Sequence, residues 1–152
     1  MHLGNYLGLL DNSEKQITKA FAQVSRHHKD EPDIEQMCQK LSAWSREHQG
    51  KLVPYLQRYA EQQSTEPARL KHELFSAPRS GSLGLIRDLH DLWLLTQEVQ
   101  LSWTVIQQAA LALRDEDLKA TCAFCSARTK RQTDWLLGRI KQAAPQALVV
   151  AD

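Results

Sequence analysis

The sequence contains few cysteines and shows no excess of either charge. Its 152 residues include three cysteines, Cys38, Cys122 and Cys125, which is an odd number and lacks the spacing of a small disulfide-rich domain. We therefore expect free thiols and a cytoplasmic location. Lysines and arginines number 19 against 18 aspartates and glutamates, for a formal net charge of +1. This balance gives no indication of binding to nucleic acid or to an anionic membrane.

Long apolar runs are also missing from the sequence. No stretch approaches the ~18 uninterrupted apolar residues that a membrane span requires. The first residues, 1–6, lack the basic segment followed by an apolar one that marks a secretion signal. We expect neither membrane insertion nor secretion. The length suits one domain, 1–152, with a core that is stable without disulfides or a structural metal.

Apolar residues instead recur at steps of three and four, the spacing of amphipathic helices in a bundle. This pattern predicts an all-α protein with helices at about 3–28, 33–61, 83–114 and 116–143. The stripe of the first predicted helix contains two polar members and consists of Leu3, Leu7, Leu10, Glu14, Ile17, Phe21, Val24 and His28.

The connections between these helices differ in length. The first two and the last two helices are joined by short turns, and each pair is expected to form an antiparallel hairpin. The stretch 62–82, with Pro67, Pro78 and Gly81, predicts a long crossover between the hairpins. Two hairpins joined in this way form an up-down-down-up four-helix bundle. Pro54 predicts a kink in the second helix just past His48.

A layer of polar residues is predicted at the middle of this bundle. Residues equally distant from the turn between the first two helices lie at one level, which places Glu14 opposite His48. The same count from the turn between the last two helices places Glu98 of the third helix level with the middle of the fourth. The fourth helix contributes, at the same height, Arg128, Thr129, Arg131 and Gln132. We expect Glu14, His48 and Glu98 to be largely buried. An ionised carboxylate in such a core costs several kcal/mol unless a cation, a metal, a proton or a hydrogen-bond donor is close.

The helix plan and this layer resemble the ferritin-like superfamily, over about residues 3–143. In that superfamily each hairpin supplies a Glu on one helix and a Glu-x-x-His on the other, and together they bind two metal ions. The resemblance implies that Glu14 is the carboxylate of the first helix, His48 the histidine of the second, and Glu98 the carboxylate of the third.

Two of the motifs depart from the ferritin-like pattern. Where the second helix would read Glu-x-x-His it reads Ser45-Arg46-Glu47-His48, and the fourth helix has neither the Glu nor the His in 125–132. About half of the ligand set of a dinuclear site remains. We therefore expect that the chain is not a di-iron oxidase, and the question of any enzymatic activity stays open.

Two interpretations of the polar layer follow. The one we favour has no metal: Arg128 or Arg131 neutralises Glu98, His48 hydrogen-bonds Glu14, and the protein acts by binding and oligomerisation, as a homodimer. The alternative is a metal-binding protein or oxidase-type metalloenzyme. It holds one Fe, Mn or Zn ion on Glu14, His48 and Glu98, with water completing the shell. No small-molecule ligand is indicated.

The remaining motifs predict structural roles. Cys122-Ala123-Phe124-Cys125 has the spacing of a redox or zinc site but lies in mid-helix without further ligands, and we interpret its thiols as core residues. His27, His28, His72 and His90 are predicted at the surface or at helix ends. The stretch 77–84, with Arg79, reads as a flexible crossover or, alternatively, as an anion-binding loop.

Overall fold

The computed structural model describes residues 2–60 and 79–150. Within these ranges the chain forms four α-helices followed by a short π-helix and contains no strand, which confirms the all-α prediction. The helices are α1 (Leu3–His27), α2 (Pro32–Arg58), α3 (Gly81–Leu113), α4 (Glu116–Pro145) and the π-helix Gln146–Val150. Most of the predicted long crossover, and His72, lie outside the described residues.

Local sequence signals explain where α2 and α4 begin. Pro32 occupies the first position of α2, where its missing N–H is no loss, and Asp33 and Glu35 in the first turn complement the helix dipole. At α4 the side chain of Asp115 accepts a hydrogen bond from the backbone N–H of Leu118 at 3.1 Å. These signals place both helix starts within one residue of their predicted positions.

The helix ends depart slightly from the prediction. The second helix ends at Arg58, three residues earlier than expected, and it remains helical through Pro54. α3 ends at Leu113, and the next residue, Arg114, adopts a left-handed conformation with φ 56°. This lets the N–H of Asp115 bond to the carbonyl of Ala110 at 3.0 Å.

The core runs between the helices along the predicted apolar stripes. All eight stripe positions of α1 are buried, including Glu14 and His28. α1 packs against α2 and α3, and α4 packs against α3 and, more sparsely, against α2. No helix in the described part of the chain combines the length and apolar character needed to cross a membrane.

Polar contacts show which helix ends meet. His28, just past α1, bonds to Asp88 near the start of α3, and Tyr55 near the end of α2 bonds to Thr121 near the start of α4. Arg139, near the end of α4, bonds to Asp33 at the start of α2. These contacts determine which side chains share each level of the bundle.

The last apolar residues that the structure describes lie in the π-helix. The π-helix does contact α3 and α4, yet Leu148, Val149 and Val150 are 66%, 80% and 66% exposed. The apolar side chains of this segment therefore lie on the surface.

Candidate functional site: a buried polar centre

The centre of the bundle holds a histidine paired with a carboxylate. His48 of α2 and Glu14 of α1 are both fully buried, and Nδ1 of His48 lies 2.7 Å from Oε2 of Glu14. The predicted level of these residues and the predicted hydrogen bond between them are confirmed. Because each is the other's direct side-chain partner, the pair partly offsets its own cost of burial.

Neighbouring side chains fix this pair in place. The hydroxyl of Thr18 donates to the backbone carbonyl of Glu14 at 2.7 Å, and the amide of Gln49 donates to that hydroxyl at 2.7 Å. The His48 ring meets the rings of Trp103 and Phe124 edge to face, with centroids 6.2 and 6.5 Å away. Two aromatic rings therefore pack against the imidazole.

The fourth helix contributes amide and hydroxyl groups to the same level. The Gln132 side-chain N–H donates to the carbonyl of Leu41 at 3.0 Å and to the hydroxyl of Ser45 at 2.9 Å. Thr129 is buried and donates to the carbonyl of Cys125 at 2.8 Å. Ser45, which stands where the ferritin-like pattern has a Glu, is thus bonded to Gln132.

Several polar atoms in this centre are buried and have no hydrogen-bond partner among the described residues. They come from all four helices and are Oε1 of Glu14, Nε2 of His48, Nε1 of Trp103 and Oε1 of Gln132. Unpaired buried groups of this kind cost about 1–3 kcal/mol each. Three of the four atoms belong to types that coordinate metal ions, and all four could bond to water.

Burial also alters the acidity of Glu14. Desolvation raises the pKa of Glu14 above its ordinary value, and the hydrogen bond and charge of His48 oppose this only in part. Glu14 therefore holds its proton more tightly than an exposed glutamate does, because little solvent is available to stabilise the ionised carboxylate.

The expected burial of Glu98 is wrong. Glu98 is partly exposed on α3. Among the described residues no three or more histidines, cysteines, aspartates or glutamates are grouped in a way that could hold a metal ion. The structure therefore brings together Glu14 and His48 but does not gather Glu98 with them as a third ligand.

Arg128 has a different partner from the expected Glu98. Arg128 forms its ion pair with Glu47 of α2, and Arg131 is exposed. The Arg128 guanidinium lies 4.6 Å from the ring centroid of Phe124 and 5.1 Å from that of Trp44. Arg128 therefore joins α4 to α2 over the rings of Trp44 and Phe124, of which Phe124 contacts His48. It also holds the pKa of Glu47 below its ordinary value.

His28 lies at the end of α1, as predicted, but it is buried and not at the surface. His28 is 2% exposed, and its Nε2 lies 2.8 Å from Oδ2 of Asp88, which is also 2% exposed. Arg79 donates to Asp88 at 3.3 Å and to Asp91 at 2.8 Å. The position of His28 on the apolar stripe of the first helix was the signal that it is buried.

The cysteines lie in the core, as predicted. Cys38, Cys122 and Cys125 are free and fully buried. Desolvation raises the thiol pKa of Cys38 and of Cys122 to about 12 and also raises that of Cys125. Such thiols are poor nucleophiles at neutral pH.

Comparisons of the chain with models of protein families, with curated proteins and with solved structures found no match.

Proposed function

We propose that this chain is a ferritin-like four-helix bundle, in up-down-down-up order, that is not catalytic and acts by binding a second copy of itself. The contacts between helix ends support this order. His28 with Asp88 brings the end of α1 to the start of α3, and Tyr55 with Thr121 brings the end of α2 to the start of α4. α2 and α3 then run in the same direction, which requires the long connection of an up-down-down-up bundle.

One observation carries the non-catalytic part of the proposal, namely the direct bond between His48 and Glu14. Two residues that would serve as metal ligands in a ferritin-like site use each other as partners, 2.7 Å apart. Ser45, at the position where that site has a Glu, is likewise bonded to Gln132 of α4. A degenerate centre of this type stabilises the bundle and leaves function to the surface. The three free cysteines favour a reducing, cytoplasmic setting.

The surface that we assign to self-association is the outer face of α3. Leu94, Leu101 and Val105 are 42%, 62% and 37% exposed and follow one another at steps of seven and four, so they share one face. From Leu92 to Leu113 the only charged residue is Glu98. Glu98 lies on this face between Leu94 and Leu101, and its neighbours there are apolar. A face with a single charged side chain suits a copy of itself around a two-fold axis, the commonest arrangement of homo-oligomers.

Light scattering after size exclusion tests the association. We expect twice the mass of the chain for the natural protein and a monomer for Leu101→Lys. Leu137→Lys, which alters a leucine on α4 that is 40% exposed, is the matched control and should stay dimeric.

Metal analysis of protein purified without chelator should find no stoichiometric iron, manganese or zinc. A monomeric natural protein with stoichiometric iron would contradict both parts of the proposal.

The unpaired atoms of the centre favour a second candidate function, the binding of a single Fe, Mn or Zn ion. Oε1 of Glu14, Nε2 of His48 and Oε1 of Gln132 are buried, lack hydrogen bonds and have the chemistry of metal ligands. On this alternative, Glu14→Ala and His48→Ala abolish metal uptake, whereas the exposed control Glu47→Ala retains it. If Glu14→Ala and His48→Ala leave metal content and thermal stability in iron or manganese unchanged, this candidate fails.

A further inference from the structure

The small net charge of the chain conceals an uneven distribution of charge. Over residues 118–145, α4 has a single carboxylate, Asp134, and its lysines and arginines are Lys119, Arg128, Lys130, Arg131, Arg139 and Lys141. Over residues 40–51, α2 adds the cations Lys40, Arg46 and Lys51 against Glu47. α2 and α4 are neighbours in the bundle, so these two basic stretches lie beside each other.

The two helices meet along a line of charged and aromatic side chains. The members on each helix follow one another at steps of three and four, so they share one side of that helix. We call them the α2–α4 seam: Lys40, Trp44, Glu47 and Lys51 of α2 with Phe124, Arg128 and Arg131 of α4. The two sides face each other, because Arg128 pairs with Glu47 and the Lys51 ammonium lies 4.5 Å from the ring centroid of Phe124.

Most cations of the seam have no carboxylate partner. Glu47 is the only carboxylate of the seam, and Arg128 already pairs with it. Within residues 2–60 and 79–150, Lys40, Lys51 and Arg131 form no ion pair. Lys40 lies instead over the ring of Trp44, 5.5 Å from its centroid, as Lys51 does over Phe124. The uncompensated positive charge makes the seam complementary to a polyanion.

The aromatic rings indicate which polyanion fits the seam. Phe124 is 42% exposed and Trp44 is partly exposed. An acidic protein segment needs only the cations, whereas a nucleic-acid single strand uses cations for its phosphates and aromatic rings for its bases. Stacking of a base on a ring is stronger than an exposed cation–π contact, so Lys51 can leave the Phe124 ring for a phosphate. A duplex keeps its bases stacked on one another and cannot use the rings.

We propose that the α2–α4 seam binds single-stranded nucleic acid without sequence preference. Lys40, Lys51 and Arg131 contact phosphates, and a base stacks on the ring of Phe124. The inference goes beyond the proposed self-association and does not depend on it, because the outer face of α3 takes no part in it.

Fluorescence anisotropy of a labelled oligothymidylate, titrated with the full chain, tests the proposal. At low salt we expect saturable binding with a Kd of about 10⁻⁶–10⁻⁴ M. The logarithm of the affinity should fall with the logarithm of the salt concentration with a slope of about −2, because three phosphate contacts contribute about 0.7 each. Duplex DNA of the same length and polyglutamate should compete at least fivefold more weakly than unlabelled oligothymidylate.

Two charge variants and a matched control locate the phosphate contacts. Lys51→Gln and Arg131→Gln should each raise the Kd and make the salt slope shallower by about 0.7. Lys19→Gln makes the same change of charge at an exposed position of α1 and should leave both quantities unchanged.

The stacking contact has its own pair of variants. Phe124→Leu removes the ring from the seam and should raise the Kd at least fivefold while leaving the salt slope unchanged. Tyr6→Leu removes a ring of α1 that is 37% exposed and should not change the Kd. If Phe124→Leu does not fold, as judged by circular dichroism, Lys51→Gln and Arg131→Gln carry the comparison with their control.

Four results would overturn the inference. One is the absence of saturable binding at low salt. Another is an equal loss of affinity in Lys19→Gln, which would show that only the net charge matters. Polyglutamate competing as well as oligothymidylate would point to an acidic protein as the partner, and duplex DNA competing equally well would show that the rings take no part.

Discussion

The two buried histidine–carboxylate pairs of this bundle are alike in geometry and different in surroundings. His48 with Glu14 and His28 with Asp88 span 2.7 and 2.8 Å, and all four side chains are at most 2% exposed. Among the described residues no third charged side chain bonds to the first pair, which lies between aromatic rings. The second pair is joined by Arg79 and adjoins a cavity. The first pair, which we call the closed pair, is shut off from the surface and keeps one unpaired atom on each residue, whereas the second pair shares its carboxylate with a cation.

The largest effect expected from this difference concerns the loss of each histidine. His48→Ala leaves the Glu14 carboxyl buried without its partner, and we expect it to lower the free energy of unfolding by about 3–5 kcal/mol. His28→Ala should cost about 1–3 kcal/mol, because Arg79 still bonds to Asp88. Urea unfolding of both variants measures the two losses. Equal costs would show that Arg79 does not compensate for the missing imidazole.

A smaller effect is expected when both members of a pair become apolar. Glu14→Leu combined with His48→Leu removes the unpaired buried atoms together with the pair. The double variant should match the natural protein or exceed it by about 1–4 kcal/mol. The matched change, Asp88→Leu with His28→Leu, deprives Arg79 of one of its two carboxylates and should destabilise. A variant with both Glu14→Leu and His48→Leu that is less stable than His48→Ala alone would contradict this account.

The sequence predicted the closed pair because Glu14 and His48 both fall on apolar stripes, and a stripe at helical spacing is by itself a burial signal. Glu98 was expected in the core because leucines and valine surround it at helical spacing. Of these neighbours Leu95 is buried, but Leu94, Leu101 and Val105 prove to be exposed themselves and mark the outer face of α3. Since α3 is apolar on most sides, its sequence pattern could not distinguish the two faces.

Two other features depend on distances that a sequence does not contain. Arg128 reaches across to Glu47 on α2, 81 positions away, and not along its own level to Glu98. The bond between His28 and Asp88 spans 60 positions and forms because the end of α1 meets the start of α3. The up-down-down-up plan predicts that these helix ends lie near each other. It does not predict which of their side chains bond.

The pH dependence of stability should separate the closed pair from surface charges. Burial raises the pKa of Glu14 above 4.5, so at pH values above 4.5 the folded chain binds this proton more readily than the unfolded chain. The stability from this group is complete below pH 4.5 and is lost as the pH rises through the folded pKa. Relative to Glu14→Gln, the natural protein should therefore lose stability as the pH rises from 4.5.

A control of opposite sign is available for this experiment. Arg128 holds the pKa of Glu47 below its ordinary value, so the stability from Glu47 is present above 4.5 and is lost as the pH falls. Urea midpoints of the natural protein, Glu14→Gln and Glu47→Gln across this range give both slopes. If the stability of the two variants, each relative to the natural protein, changes with pH in the same direction, burial does not control the proton on Glu14.

The smallest expected effect concerns the thiols, which report on the two regions separately. Burial raises the pKa of Cys38 to about 12 and raises that of Cys125, where the nearby charge of Glu14 contributes. At pH 8 each thiol should react with dithiobis(nitrobenzoate) on the order of a thousandfold more slowly in the folded chain than in urea. In single-cysteine versions, His48→Ala should speed the reaction of Cys125 and leave that of Cys38 nearly unchanged, because only Cys125 lies close enough to Glu14 to sense its charge. Equal acceleration of both thiols would mean that the centre does not open locally and that the whole bundle has been loosened.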